Sequence, residues 1–323
     1  MKKRSGSAVQ PRARSRSLRY FIGIILLLTA VAACTQGATG LDAAQEAAFR
    51  ELKQIAAVSA QSLNVYMDAR FTDMLVAAKL GGPLRDSLAV PDARGDANGI
   101  LEEWLKISGA YEAILLLDKN GVCLAAAPAT LLNQDFSNDL AFKGAVEGRA
   151  TVTDAHKSQV LRALDPESGG WTVTIAAPVN IQNQPAGVLL AFLKWSRVEE
   201  LLTSVKVGST GYVFALDRDN RAIVHPAGKI MYGRSVRTAP INLRELDDAV
   251  RNRAPHTRYE YTNPATDKAD TRLVGLAYPK GYGNFPGLGW TVGAGADKDD
   301  LLSSGPPWWF LWIFTRGRPD VER

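Results

Sequence analysis

Cysteine and histidine are scarce in this 323-residue sequence, with two of the former and three of the latter. Two cysteines build neither a disulfide framework nor a paired metal or redox motif. His156, His225 and His256 lie far apart and no His-Glu-x-x-His pair occurs, so a zinc site has no ligand set to draw on. His225, which precedes Pro226, reads as a residue packed at a strand end. Asp217-Arg218-Asp219 begins like a calcium loop, but Arg221 and Gly228 stand where oxygen ligands belong, so the segment reads as a hairpin turn. The glycine-rich stretch from Gly281 to Gly289 lacks Gly-Lys-Ser/Thr and opens no helix, which makes it an inter-strand loop and not a phosphate cradle. Gly-x-Ser-x-Gly is also missing, and no nucleophile can be matched to a base. The expectation is a protein that is not an enzyme, with no metal and no cofactor.

What is present is ordinary globular material. Hydrophobic residues make up 46% and charged residues 22%, which excludes disordered, collagen-like and multi-span membrane classes and leaves room for about two cored domains. A net charge of +5 would suit a nucleic-acid partner if it were spread over the body. It is not. Lys2, Lys3, Arg4, Arg12, Arg14, Arg16 and Arg19 crowd the start, and without them 31 basic residues face 33 acidic ones. No basic stripe with interleaved aromatics remains to hold phosphates, so nucleic acid is not an expected partner.

Behind those cations runs the apolar segment Phe21 to Ala33, closing on Val31-Ala32-Ala33-Cys34. Basic region, apolar core and small residues form the layout of an export signal. Two readings compete. Val-Ala-Ala-Cys resembles the lipobox of bacterial lipoproteins, which implies lipid attachment at Cys34. Alternatively the segment stays uncleaved: Phe21 to Leu41 carries only Gln36 as a strongly polar residue and, at about 1.5 Å per residue, just crosses a core of roughly 30 Å. In both cases the positive flank keeps the N-terminus cytoplasmic, so the body lies on the extracytoplasmic, periplasmic side, tethered to the cell membrane. Cys123 then stands alone in an apolar run and reads as a buried small hydrophobe.

From Leu41 to about Leu80 there is no proline, and Phe49, Leu52, Ala56, Leu63, Tyr66 and Met74 recur at helical spacing. One long amphipathic helix is expected, ended by Gly81-Gly82-Pro83 and long enough to pair with a second copy of itself. A shorter helix follows near Ala97 to Ser108. Ala113 to Leu117, Asp118-Lys119-Asn120-Gly121 and Val122 to Ala126 then spell strand, turn and strand. The same hairpin returns at Tyr212 to Leu216, Asp217 to Asn220 and Arg221 to Val224. The repeat goes further. Pro128-Ala129 answers to Pro226-Ala227, Ala145 to Ala150 answers to Ala249 to Ala254, and Trp171 to Pro178 approximates Thr271 to Pro279. Each copy closes with a strand and a short acidic helix start, Gly187 to Phe192 before Val198 to Leu202, and Gly289 to Gly295 before Asp299 to Leu302. Two tandem copies on antiparallel sheets make an α+β protein.

These features together resemble the double Cache (dCache) sensor domains of bacterial chemoreceptors, sensor kinases and cyclases. The resemblance covers roughly Leu41 to Ser304. It rests on the long helix, the repeated hairpin, Asp135-Phe136-Ser137 leading to Phe142 to Val146, Thr174 to Val179, Gly208 to Phe214, and Gly289 to Gly293. It implies a long N-terminal helix over 41–80 followed by two PAS-like modules, a membrane-distal one at 85–202 and a membrane-proximal one at 203–304. Residues 1–34 would be the signal or anchor and 305–323 a tail. It also implies a small-molecule ligand in the distal module and a displacement passed to a signalling output. The Tyr, Arg, Trp, Tyr and Asp set of the amino-acid-binding subgroup does not carry over. Asp139-Leu140-Ala141-Phe142 stands where its Arg-x-Trp-Tyr would fall, His156 and Ser158 replace its second Tyr and following Asp, and Phe192 takes its late Asp.

A polar loop of the first module offers its own candidates. Asp154 and His156, with Trp171 and Arg162 near in sequence and Tyr111 as a further candidate, combine aimed polar groups with an aromatic that excludes water. The bland reading of Asp154, Lys157 and Arg162 is solvated loop charge. After Pro306-Pro307 comes Trp308 to Phe314, seven apolar residues, far short of the roughly 17 that a spanning helix needs. Its tryptophans suit a membrane interface. The expected function is a membrane-tethered small-molecule sensor or binding protein without its own output domain, acting through a membrane signalling partner. Its alternatives are an anchored interaction module with an empty pocket and a truncated chemoreceptor or sensor kinase.

Overall fold

The computed structural model describes residues 15–303 apart from 229–230, 239–240 and 264–266, with side chains from Asp42 onward except those of Ser168 and Asn263. Cys34 and the apolar run before it are therefore described as backbone only, and the tail at 305–323 lies outside the described residues. The chain divides into two compact units, residues 1–48 and 49–323. In the first, the described backbone belongs to helix α1, Ser15–Leu80, which starts well before the expected Leu41 because no proline interrupts Ser15 to Leu80. Among the described residues no helix is long and apolar enough to cross a membrane.

Within the second unit α1 presents one buried stripe. Phe49, Leu52, Ala56, Ala60, Leu63, Met67, Phe71, Met74 and Ala78 are all buried, at steps of three and four residues that keep them on one face. Gly81 ends the helix, its N–H donating to the Ala77 carbonyl at 2.9 Å. The Gly-Gly-Pro stop is also a start: α2, Gly82–Ala89, begins there with Pro83 in its first turn, where a missing N–H does no harm. This short helix was not expected. α3, Arg94–Ser108, is the helix expected near Ala97, closed by Gly109 at φ 55°.

The first module follows as β1 (Tyr111–Asp118), β2 (Cys123–Ala127), α4 (Leu140–Val146), β3 (Thr151–Val152), β4 (His156–Lys157), α5 (Gln159–Leu164), β5 (Trp171–Thr172), β6 (Thr174–Ile181), β7 (Gln184–Leu193) and α6 (Trp195–Thr203). The second comprises β8 (Tyr212–Leu216), β9 (Ala222–Val224), α7 (Arg244–Arg251), β10 (His256–Asn263), β11 (Lys268–Ala277), β12 (Thr291–Asp297) and α8 (Lys298–Ser303). The sheets run β2-β1-β7-β6-β3 and β9-β8-β12-β11-β10, so the strand order within each module is the same. Pairing is antiparallel throughout both.

The two hairpins agree atom by atom, and the reason is local. Asp118 Oδ1 accepts from the N–H groups of Asn120 and Val122 at 2.8 and 2.9 Å; Asp217 Oδ1 accepts from those of Asp219 and Arg221, both at 2.8 Å. Each aspartate thus ties its own turn. The fourth residue of each turn, Gly121 in one and Asn220 in the other, takes a positive φ, and each hairpin shifts register one step before its aspartate. The cores sit between each sheet and its helix: Leu115, Leu117, Phe136, Phe142, Leu190 and Phe192 in the first module, and Phe214, Leu216, Leu246, Val250, Val274 and Leu276 in the second.

Helix α1 is fixed to both modules. Tyr111 Oη donates toward the Arg70 carbonyl and lies 3.3 Å from Asp73. Farther along, Asp68 Oδ1 accepts from the N–H groups of Asn284 and Phe285, and Asn64 Nδ2 donates to the Gly281 carbonyl. Phe49 stacks on His256 with ring centroids 4.2 Å apart.

Candidate functional site

The five side chains expected to form a ligand site in the first module are not gathered into one pocket. Tyr111 is buried under α1, with its hydroxyl used as above. Asp154 is a strut between modules: Oδ1 accepts from Trp290 Nε1 at 2.6 Å and Oδ2 from Arg218 Nε at 2.9 Å, both in the second module. His156 Nδ1 lies 2.9 Å from the Asp154 carbonyl and 3.3 Å from Thr153 Oγ1, so the ring braces its own loop. Trp171 packs edge-on against Tyr232 of the second module, centroids 5.6 Å apart, with Lys157 over its ring. Arg162 is exposed. Asp154 and Trp171 of this loop region thus reach across to the second module.

The strut carries a prediction. Asp154→Ala removes a charge-assisted bond and leaves the Trp290 indole N–H unpaired, a loss of about 1–2 kcal/mol. Urea midpoints should show it, with Arg162→Ala within about 0.5 kcal/mol of the parent. Equal effects for the two variants would remove the strut.

In the first module the space between sheet and helix is filled. Ala113 on β1 faces Phe192 on β7, and Phe136, Phe142 and Leu161 close in over it. In the second module the equivalent pair is inverted, with Tyr212 on β8 opposite Gly295 on β12. The large group now stands on the opening strand and the closing strand has none. Around Tyr212 opens a cavity of about 1070 Å³, lined by His225, Tyr259, Tyr261, Arg272 and Asp297.

Its geometry is built on Arg272, 7% exposed. Nε and Nη2 donate to Asp297 Oδ1 at 3.1 and 2.8 Å, and Nη2 also donates to Tyr261 Oη at 3.0 Å. Tyr261 Oη donates onward to the same Asp297 oxygen at 2.9 Å. The guanidinium carbon lies 4.8 Å from the Tyr212 ring centroid and 4.7 Å from that of Tyr261, so two aromatic rings attract the cation. Burial works against the charge of Arg272, but Tyr212, Tyr259 and Asp297 raise its pKa above the ordinary arginine value. The guanidinium therefore keeps its charge, with the Asp297 carboxyl beside it.

His225 completes one wall. Burial, reinforced by the charge of Arg272, pushes its pKa down to about 4, so the ring is neutral at physiological pH. Nδ1 accepts from the Ala227 N–H at 3.1 Å, which puts the ring proton on Nε2, and Nε2 donates to Tyr212 Oη at 3.2 Å. Burial also raises Tyr259 well above the ordinary tyrosine value, and burial followed by the bond to Asp297 raises Tyr261 to about 12. Both phenols keep their protons. The cavity is thus a lining of tyrosine hydroxyls and Asn242, with apolar Met231, Ile241 and Leu243 on one side. It suits a small polar molecule without net negative charge, because Glu260 at the rim is not balanced by a further cation.

Sequence reasoning missed this site. Tyr259 and Tyr261 stand two apart on one face of β10, a signal that was present, and His225 was placed at a strand end, where it does follow β9. Arg272 and Asp297 are 25 positions apart and meet only because β11 pairs with β12 in a register that sets them opposite each other.

The comparisons with known proteins agree with this architecture. The family model dCache_1, a Cache domain, matches residues 41–304. Methyl-accepting chemotaxis protein PscA of Pseudomonas syringae pv. tomato is 32% identical over 83 residues, covering 26% of this chain and 13% of that protein. Methyl-accepting chemotaxis protein PctB of Pseudomonas aeruginosa is 25% identical over 152 residues, covering 47% and 21%. The matches thus span about a fifth or less of these curated relatives. Among solved structures, the ligand-binding domain of Pseudomonas fluorescens chemoreceptor CtaA in complex with L-isoleucine superposes with a TM-score of 0.59 at 21% identity, covering 83% of this chain and 99% of that one. At that identity the likeness is one of fold. With two copies of one five-stranded module behind a long helix, and a family match running over residues 41–304, the chain belongs to the double Cache family of sensor domains.

Proposed function

We propose that this chain is an extracytoplasmic sensor that holds a small polar molecule in the cavity of its second module and acts by binding, without chemistry of its own. The observation that carries this reading is the contrast between the modules. Between its sheet and helix the first module is packed with Leu115, Phe136, Phe142 and Phe192, while the second keeps a cavity of about 1070 Å³ around the caged Arg272. A buried cation held by two rings, a carboxylate and a phenol is a costly arrangement for packing alone, and it supplies fixed hydrogen-bonding directions to a ligand. The net charge of the lining favours an uncharged or zwitterionic ligand. The CtaA domain is known in complex with L-isoleucine, an amino acid. The chain is tethered to the membrane through its N-terminal segment, by lipid at Cys34 or by a helix near residues 21–41, and passes ligand occupancy to a membrane signalling partner. The long α1 supports pairing with a second copy.

Thermal-shift screening of the purified chain against L-amino acids, sugars and nucleobases tests the reading. At a concentration 100 times its Kd a ligand adds about 2.7 kcal/mol of stability, enough for a clear shift. At least one compound should raise the melting temperature, and Ala269→Trp, which sets an indole on the cavity lining, should abolish that shift. A shift that survives this substitution would place the ligand elsewhere. The first-module candidates enter the same screen, because Trp171 lines a separate cavity of about 330 Å³ beside Glu112, Lys194 and Trp195. A ligand whose shift is lost in Trp171→Ala and kept in Ala269→Trp would assign the site there.

A further inference from the structure

A second concavity of about 1070 Å³ opens in the same module, around the β8–β9 turn, the end of α7 and the loop before β12. Its lining is strongly one-signed: Arg218, Arg221, Arg251, Arg253 and Lys280 against the single carboxylate of Asp219. Two of the cations are already neutralised, Arg218 by Asp154 at 2.9 Å and Arg251 by Asp247 at 2.7 Å. Arg221, Arg253 and Lys280 have no carboxylate within 4.0 Å among the described residues. They come from three different segments and converge on one space.

One of them is held in place. Arg253 takes φ 51°, an uncommon backbone conformation for arginine, and its guanidinium lies 5.5 Å from the Tyr278 ring centroid. Tyr278 is itself tied down, donating to the Ala254 carbonyl at 2.8 Å with the Ala249 carbonyl 3.3 Å away. A positioned guanidinium is the group best matched to planar oxyanions, and Arg221 and Lys280 add charge from neighbouring segments. Holding three uncompensated cations together is electrostatically unfavourable until something negative enters, and one carboxylate would satisfy only one of them.

We propose that this cleft binds a small polyvalent oxyanion, a molecule carrying two or more carboxylate or phosphate groups, through Arg221, Arg253 and Lys280. The site is distinct from the cavity around Arg272, whose lining excludes net negative charge.

Isothermal titration of the whole chain with citrate and with pyrophosphate at low ionic strength tests it, with acetate as the monovalent comparison. The two probes separate a carboxylate preference from a phosphate preference. At least one should bind, more weakly as salt is added, with acetate far weaker at equal ionic strength. Removing two exposed cations in Arg221→Gln/Lys280→Gln should lower the affinity about tenfold, and Arg253→Gln by a similar factor. Lys106→Gln/Lys143→Gln, which removes two exposed charges elsewhere, should leave it unchanged, as should Ala269→Trp. Melting curves confirm that the variants fold. Binding of neither probe, or equal affinity in the two double variants, would overturn the proposal while leaving the reading of the Arg272 cavity untouched.

Discussion

Asp247→Ala is expected to lower the stability of the protein by about 3 kcal/mol, from the loss of one buried carboxylate and the groups it satisfies. The Asp247 side chain is completely buried at the start of α7. Oδ1 accepts from Asn220 Nδ2 at 2.7 Å; Oδ2 accepts from Arg237 Nη1 and Arg251 Nε, each at 2.7 Å. Both arginines are half exposed and regain water when the carboxylate goes, so their ion pairs contribute modestly. Asn220 does not regain it. That residue is 5% exposed at the positive-φ position of the β8–β9 turn, and its amide would be left buried and unpaired. The loss therefore falls on the joint between α7 and the hairpin, which forms part of the frame around the basic cleft lined by Asn220, Arg221 and Arg251.

The same residue predicts a pH dependence. Burial alone would raise the carboxyl pKa, but hydrogen bonds from Arg251, Asn220 and Arg237 outweigh it and hold the group down to about 2. A carboxylate whose folded pKa lies below its unfolded value of about 3.9 contributes stability above that value, and the contribution fades as pH falls toward the folded value. Between about pH 4 and pH 2 the parent should therefore lose stability more steeply than Asp247→Ala. Urea midpoints at several pH values in that window measure the difference, and parallel slopes would show that the network contributes nothing through ionisation.

Gly275→Ala should be nearly as damaging, for a steric reason. Gly275 lies on β11 where α1 crosses closest, and a Cβ there would fall on the backbone of Leu52 and Lys53. A side chain could rotate away; helix backbone cannot. Inserting one methyl group into such a contact costs about 3 kcal/mol, the upper end of the range for overpacking. The strain would reach the neighbouring contact as well, because Gly275 is the register partner of His256, which stacks on Phe49 of α1. Hydrogen exchange should report loosened protection in α1 near Leu52 before the sheet itself opens. A stability loss under about 0.5 kcal/mol would show that helix and sheet part at little expense.

Much of this architecture is visible in the sequence because it depends on neighbours. The two hairpins follow from an aspartate that ties its own turn within four residues, so Asp118 and Asp217 announce themselves wherever they occur between apolar runs. The stripe on α1 follows from helical periodicity, and the buried faces of Leu52, Leu63 and Met74 are where the pattern puts them. The same local logic also misleads. Gly81-Gly82-Pro83 reads as a stop, yet proline tolerates a helix start as well as it ends one, and α2 begins there.

The candidate site was far less legible. Asp154, His156 and Trp171 have the chemistry of a ligand loop, and nothing within the loop reveals that Asp154 meets Trp290 and Arg218, 136 and 64 positions away. By itself, then, the sequence determined the repeat, the long helix and the antiparallel hairpins, which rest on periodicity, turn chemistry and spacing, and it carried the resemblance to the double Cache family. The tertiary structure alone decided where the cavities open. A cavity is a property of facing surfaces: Phe192 opposite Ala113 closes one, Gly295 opposite Tyr212 leaves room in the other, and only the register of the strands brings those residues face to face.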